Sequence, residues 1–322
     1  MTKRGIVLFN LGGPRTTKDV KPFLYKLFSD PAILVGIPTP IRQMIAFTIA
    51  QVKGPSSIKT YEMIGGGSPQ LRWTQSQAQA LDKNLKDAGQ SVRVVIGMRA
   101  SSPTIEEGLE QLKKWGAEEV IFFPLFPQYS TTTTGSCMTE AKRVLSKLNW
   151  KPKVTEIMRW PDHPLYISLL RKTVDEAIEQ AKEETGDQKL HILFSAHSLP
   201  MKIIERGDPY PTDIQKTMKG VTEGLTYDWS LAFQSRNGKM PWLEPYTEDE
   251  LQRLGKAGVK NIVVVAISFV SDHIETLFEL DRLYKDVAIE SGIKGYFRAR
   301  AFNDDPEFGK VLSTVFQENA PL

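Results

Sequence analysis

Two of the chain's four histidines stand just past strongly apolar runs, His197 after ILFSA and His273 after IVVVAISFVSD. The others are His163 and His191. One histidine at a strand end is often only a loop residue held by a hydrogen bond. Two at the same lip point to function, because imidazole both binds metals and exchanges protons near neutral pH. Beside His273 runs SDHIETLFELD, Ser271–Asp281. If this segment is helical from Asp272, then Asp272, Glu275 and Glu279 share one face at i, i+3 and i+7. Like charges so arranged repel, and an acidic run is ordinarily a solvated helix face. Directly after so apolar a strand, this one is expected to open onto a cleft. There a crowded acidic row attracts a cation and raises some carboxyl pKa values. The chemistry on offer is transient binding of a divalent ion by imidazole and carboxylate, next to groups able to take protons. Ferrous iron suits such donors, as do other first-row metals. A zinc site fits poorly, since HExxH spacing and sets of cysteines are both missing. A nucleophilic serine also fits poorly, because Ser198 follows His197 and does not sit in G-x-S-x-G.

The elements that must position these residues are legible as apolar runs. Strands are predicted near Gly5–Asn10, Arg93–Met98, Val120–Leu125 and Val154–Ile157, then His191–Ala196, Leu231–Gln234, Ile262–Ser268 and Tyr296–Arg300. Most runs are continuous rather than alternating, as parallel strands covered on both faces require. Helical patterns lie between them, for example Ile105 to Trp115 and Glu248 to Lys256. The alternation argues for a doubly wound α/β architecture. The halves repeat one another. TIEEGLEQLKKWGAEEVIFFPLF (Thr104–Phe126) parallels TEDELQRLGKAGVKNIVVVAISF (Thr247–Phe269), and IVLFNLGGP (Ile6–Pro14) parallels HILFSAHSLP (His191–Pro200). Two matches indicate a duplicated unit. The expected division is an N-terminal domain over 1–155 and a C-terminal domain over 156–322 that ends in a helix. Ligands of such folds bind beyond the carboxyl ends of the strands, here in a cleft between the domains.

Glycine-rich LGGP (Leu11–Pro14) and IGGGSP (Ile64–Pro69) match neither the dinucleotide nor the phosphate-loop pattern and read as turns. The run Ser130–Gly135, STTTTG, reads as a helix cap. An apolar segment over 31–52, broken by Pro38 and Pro40, is expected to form a helical lip over the cleft, able to rest on a membrane surface through 33–52 without spanning it. The balance of 41 basic and 38 acidic residues gives no basic patch for nucleic acid. One cysteine, Cys137, excludes an internal disulfide, and a cytoplasmic setting fits. The N-terminus is too short and polar before IVLFNLGGP for a signal peptide. Nothing in the sequence speaks to oligomeric state.

The strings FNLGGP, YEMIGGGSP, FPQYS, FSAHSLP, RGDPYP, FQS, PWLEPYT and ISFVSDHIETLFELD, in this order from Phe9 to Asp281, resemble the ferrochelatases. SAHSLP together with SDHIETLFELD is highly specific. The resemblance implies two similar Rossmann-like domains, each with a parallel four-stranded sheet, around a porphyrin cleft. It also implies insertion of Fe2+ into protoporphyrin IX, or into coproporphyrin in some bacterial lineages. By position, His197 and Glu275 correspond to the residues assigned as iron ligands, and Asp272, His273 and Glu279 to an acidic row guiding metal or protons. Lys53, Tyr61 and Ser68 match positions that contact porphyrin propionates. Leu11, Arg99 and Trp242 match cleft-lining positions, and Tyr129 of FPQYS is a further expected porphyrin contact. Lys53 stands where the animal enzymes carry arginine, so its contact would be a point charge without bidentate geometry. Thr131 stands at the place of a cluster-ligating cysteine, so no iron–sulfur cluster is expected; iron enters as substrate and no tightly bound cofactor is implied. IGGGSP and RGDPYP are closer to the protoporphyrin-using branch. The remaining readings are a chelatase for another metal and tetrapyrrole, such as cobalt with sirohydrochlorin, and a non-catalytic tetrapyrrole- or metal-binding protein.

Overall fold

A computed structural model describes residues 2–186, 189–238 and 240–321. The described chain divides into two compact units, one running through Trp160 and resuming at Asn303, the other spanning Pro161–Phe302. The first holds β1 (Arg4–Asn10), β2 (Val92–Met98), β3 (Glu119–Pro124) and β4 (Lys153–Glu156) in the order β2-β1-β3-β4. The second holds β5 (Leu190–His197), β6 (Asp228–Gln234), β7 (Asn261–Ala266) and β8 (Gly295–Arg298) in the order β6-β5-β7-β8. All strand pairs are parallel, and the two orders are the same topology used twice. The fold is thus the expected α/β pair of parallel four-stranded sheets flanked by helices.

Burial explains the sequence signal. Every residue of β1, β3 and β7 is buried, so these central strands have no polar face to show. The helix Ile105–Trp115 opens with a reciprocal capping box between Thr104 and Glu107 and stops at Gly116, whose φ of 83° is left-handed. Its counterpart Thr247–Lys256 departs from the repeat. Tyr246 occupies the cap position, and the Thr247 hydroxyl turns inward to Ser195 Oγ at 2.9 Å. The Ser130–Gly135 run also differs from a simple cap. The helix Thr134–Lys147 has no side-chain cap bond from Thr133, and the Ser130 carbonyl accepts the Gly135 N–H at 3.0 Å.

The domain division expected from chain order needs one correction. The last helix, Pro306–Asn319, belongs to the first unit, packed on the helix Gln70–Asp87. Phe308, Val311, Leu312, Val315 and Phe316 form its buried face. Gly309 lets the helices approach, for a Cβ there would lie 2.6 Å from the Ala80 Cβ. Arg4 of β1 secures the end by donating to the Ala320 carbonyl at 2.6 Å while its guanidinium stacks over Phe316. Linear order offers no signal of such a return.

The expected lip is the 25-residue helix Thr39–Met63, entered through a turn after Pro31 and containing Pro55. It buries Ala46, Ala50, Gly54 and Tyr61 and packs on the helix Val20–Phe28. Ile41, Met44, Phe47 and Val52 are exposed, whereas Ile45 is half-buried. Among the described residues no helix is long and apolar enough to cross a membrane. Cys137 is fully buried in the core of the first unit, and that burial pushes its thiol up to about 12.

Candidate active site

The second unit gathers its chemistry where β5, β6 and β7 end. His197 is the last residue of β5, and its Nδ1 lies 2.7 Å from Glu275 Oε2. This bond leaves Nε2 as the ring nitrogen able to meet substrate. Glu275 is the first residue of a π-helix, Glu275–Tyr284, where a carboxylate meets the favourable end of the helix dipole. π-Helical turns are rare and concentrate at functional sites. Glu279, four residues on, lies on the same face as Glu275.

The serine after β6 links the two carboxylates. Ser235 Oγ lies 3.0 Å from Glu275 Oε2 and 2.5 Å from Glu279 Oε2. One hydroxyl carries one proton, so it cannot donate to both. It donates to Glu279 when that carboxyl is ionised, and to Glu275 when Glu279 is protonated and can donate to it in turn. Burial and the neighbouring Glu275 charge push Glu279 up to about 7, against the opposing pull of Ser235. Burial alone would also raise Glu275, but His197, its hydrogen bond and His273 outweigh it and hold that carboxyl well below its usual range. For His197, burial disfavours the imidazolium, yet the Glu275 charge and hydrogen bond, with Glu279 behind, raise its pKa. Ser235 reaches this position with φ at 66°, a left-handed conformation costing about 1 kcal/mol in a non-glycine residue. Gln234 steadies the same group, donating to the Glu275 carbonyl at 3.1 Å and to Glu279 Oε2 at 3.3 Å. Its own Oε1 accepts from Ser195 at 2.7 Å, which ties the acidic pair back to Thr247.

His273 joins the group, with Nε2 3.8 Å from Glu275 Oε1. Burial lowers its pKa in spite of the nearby carboxylates. Phe269 separates the imidazoles, edge-on to His273 at 4.3 Å and to His197 at 6.4 Å between ring centroids. Asp272 departs from expectation. It precedes the helix and pairs with Arg298 Nη1 at 3.1 Å, while Arg298 also holds Asp281 at 2.5 and 3.0 Å. The row Asp272–Glu275–Glu279 presupposes α-helical spacing from Asp272, and a π-helix beginning at Glu275 removes that register. Among the described residues no group of three or more His, Cys, Asp or Glu forms a preformed metal cage. His197 and Glu275 are bonded to each other, imidazole nitrogen to carboxylate oxygen.

Trp242 lies in the loop after β6, its indole N–H donating to the Asn237 carbonyl at 3.0 Å. The other expected contacts belong to the first unit, where Leu11 and Arg99 directly follow β1 and β2, and Tyr129 lies in the loop after β3. Lys53 and Tyr61 ride the long helix; burial lowers the Lys53 pKa, and the Tyr61 side chain is buried. LGGP and IGGGSP prove to be more than separate turns. The Ser68 N–H donates to the Pro14 carbonyl at 2.7 Å, and a Cβ on Gly13 would lie 2.6 Å from the Ser68 Cβ. Glycine there permits the two strings to interlock. Arg99 is paired internally, 2.9 Å from Asp30 Oδ2 and 2.7 Å from Ser136 Oγ, so its charge is already balanced. Gln234, Ser235, Ser268, Tyr210 and Phe269 were not among the expected site residues. Their only signal lay in FQS, RGDPYP and ISFVSDHIETLFELD, where no role was attached to these five residues.

Comparison with known proteins identifies relatives along the whole chain. A ferrochelatase from Aquifex aeolicus is 42% identical over 315 residues, covering 97% of this chain and 98% of that protein. One from Rickettsia bellii is 43% identical over 314 residues, covering 96% and 85%. Among solved structures, SirB from Bacillus subtilis with Fe3+ superposes with a TM-score of 0.54 at 13% identity, covering 99% of this chain and 96% of that one; this likeness concerns the fold alone. The model of the Ferrochelatase family matches residues 3–320. The chain therefore belongs to the ferrochelatases, chelatases that insert a metal ion into a tetrapyrrole.

Proposed function

We infer that this chain inserts ferrous iron into protoporphyrin IX, forming protohaem and releasing two protons. The observation that carries the reading is the pairing of His197 Nδ1 with Glu275 Oε2 at 2.7 Å, backed by a carboxyl at Glu279 that burial and the Glu275 charge push up to about 7. A free porphyrin is a rigid plane with two central N–H groups. Iron enters only if the ring bends, the ion loses water and both protons leave. Bending stores strain of about 1–5 kcal/mol, drawn from contacts remote from the centre. Trp242, Leu11 and Tyr129 are assigned to that grip, and Lys53, Tyr61 and Ser68 to the propionates. Arg99, paired with Asp30, is assigned to the lining of the porphyrin site. His197 Nε2 takes a pyrrole proton and Glu275 meets the ion or takes the second proton. His273 and Glu279 pass protons outward. Asp272, beside Arg298 and ahead of the helix, stands at the outer end of that relay.

Anaerobic incubation with ferrous iron and either protoporphyrin or coproporphyrin tests the reading. Loss of porphyrin fluorescence over many turnovers, faster with protoporphyrin, is the expected result. Faster reaction with coproporphyrin would assign the chain to that branch. A spectral change that stops at one equivalent per chain would make it a binding protein.

The exposed face of Ile41, Met44, Phe47 and Val52 supports peripheral contact with a membrane, since an apolar helical face buries itself at the headgroup boundary without spanning. The protein is expected to float with phospholipid vesicles, and the double variant Met44→Glu, Phe47→Glu to stay in the dense fraction with unchanged insertion from detergent-dispersed porphyrin. Equal flotation of both proteins would remove the membrane role.

A further inference from the structure

RGDPYP, Arg206–Pro211, takes no part in the chemistry above, yet its tyrosine ends beneath the candidate base. The Asp208 carboxylate accepts the Tyr210 N–H at 3.0 Å and starts the helix Tyr210–Thr222, leaving the phenol only 6% exposed. The Tyr210 hydroxyl lies 2.7 Å from Ser268 Oγ, and Ser268 Oγ accepts the backbone N–H of His197 at 3.0 Å. Strand geometry explains why a side chain is needed there. Successive N–H groups of a parallel strand point to alternate neighbours, and the Ser198 N–H goes to the Gln234 carbonyl on the β6 side. The His197 N–H must therefore face β7, which has ended at Ala266; the Ile267 N–H makes the last rung to the Ser195 carbonyl, and the Ile267 carbonyl accepts from the Tyr166 hydroxyl at 3.4 Å instead. A hydroxyl fills the place of the missing ladder carbonyl. A serine hydroxyl rotates freely unless a second partner fixes it, and Tyr210 is that partner. Burial raises the phenol pKa, so the group stays neutral.

We propose that Tyr210 and Ser268 are positioning residues that fix the backbone of His197 so that its ring keeps Nδ1 on Glu275 and presents Nε2 to the porphyrin. The proposal rests on the role given to His197 above. Misplacing a reacting group by about 1 Å costs about 10²-fold. Loosening one backbone bond should cost less, about 3- to 10-fold in kcat.

Tyr210→Phe keeps the buried ring and removes the hydroxyl, Ser268→Ala removes the acceptor, and Ser268→Thr retains it. The first two are expected to lower kcat about 3- to 10-fold with the porphyrin KM unchanged, and the third to retain most of the wild-type kcat. The double variant Tyr210→Phe, Ser268→Ala should be no slower than Ser268→Ala alone, because both act through one bond. With four histidines in the chain, each imidazole can be followed by NMR of 15N-histidine-labelled protein at one fixed pH. The His197 signals should shift and broaden in Tyr210→Phe and Ser268→Ala while those of His163 and His191 hold. Folded variants with unchanged kcat and unchanged His197 signals overturn the proposal, as does a loss of kcat matched by a loss of porphyrin binding. Should His197→Ala retain insertion, the catalytic reading fails. The NMR signals would still report separately whether the pair holds the ring.

Discussion

Replacing His197 by alanine is expected to lower iron insertion by about 10²- to 10⁴-fold, the usual worth of a positioned general base, while porphyrin still binds. The imidazole is the group at this strand end whose neutral form takes a proton at physiological pH. Its Nδ1 is committed to Glu275, so the ring is oriented before substrate arrives. Alanine removes the proposed base and metal donor together and leaves the Glu275 carboxylate with Ser235 and His273 as partners. The cost to stability should be about 1 kcal/mol, discounted because the His197 ring is 34% exposed. Insertion is measured by the loss of porphyrin fluorescence, and binding by the quenching of tryptophan fluorescence without metal. Parallel loss of binding and insertion would make His197 a porphyrin contact instead of a base.

The site was legible to different depths for different residues. His197 and His273 stand out because strand ends are where this fold binds ligands, and the apolar runs before them mark those ends plainly. Central strands buried on both faces, such as β1, β3 and β7, cannot be mistaken for helix surface, and the half-buried edge strands were read from their shorter apolar runs. Their last residues were less readable. The run Ile262–Ser268 is apolar throughout, yet β7 ends at Ala266, and only that early end frees Ser268 for His197. Asp272 was misplaced because the helix begins only after it, and nothing in SDHIE marks that later start. Ser235 and Gln234 were missed for a plainer reason. Serine and glutamine after a strand look like any loop, and their meaning comes from contacts with Glu279, 44 and 45 residues away in sequence. Duplication foretold the shared strand order but not where the copies diverge. Thr247 matches the cap Thr104 by alignment, yet it serves the hydrogen-bond chain through Ser195 to Gln234.

That chain leads to the second large effect. Glu275→Gln preserves shape while removing the charge that His197, His273 and Glu279 all sense. Insertion should fall about 10²-fold, because the donor for iron and the second proton acceptor are both weakened. The pH profile should move as well, and its direction follows from the charges. As a base, His197 works when neutral, so the acid limb of kcat/KM marks its pKa in the free enzyme. Burial lowers that pKa and the Glu275 charge raises it, with the charge prevailing. With glutamine the charge is gone and burial remains. The neutral ring then persists to lower pH, and the acid limb moves down. Glu279 should follow in the same direction from about 7, because part of its rise comes from repulsion by Glu275. Glu279→Gln removes a smaller share of the charge on His197, so it should move the limb less and lower the rate less. A Glu275→Gln enzyme whose acid limb stays in place or moves up would show that His197 does not titrate against Glu275. The acid limb would then belong to another group, and the base would have to be sought among the remaining imidazole, His273, and the Glu279–Ser235 pair.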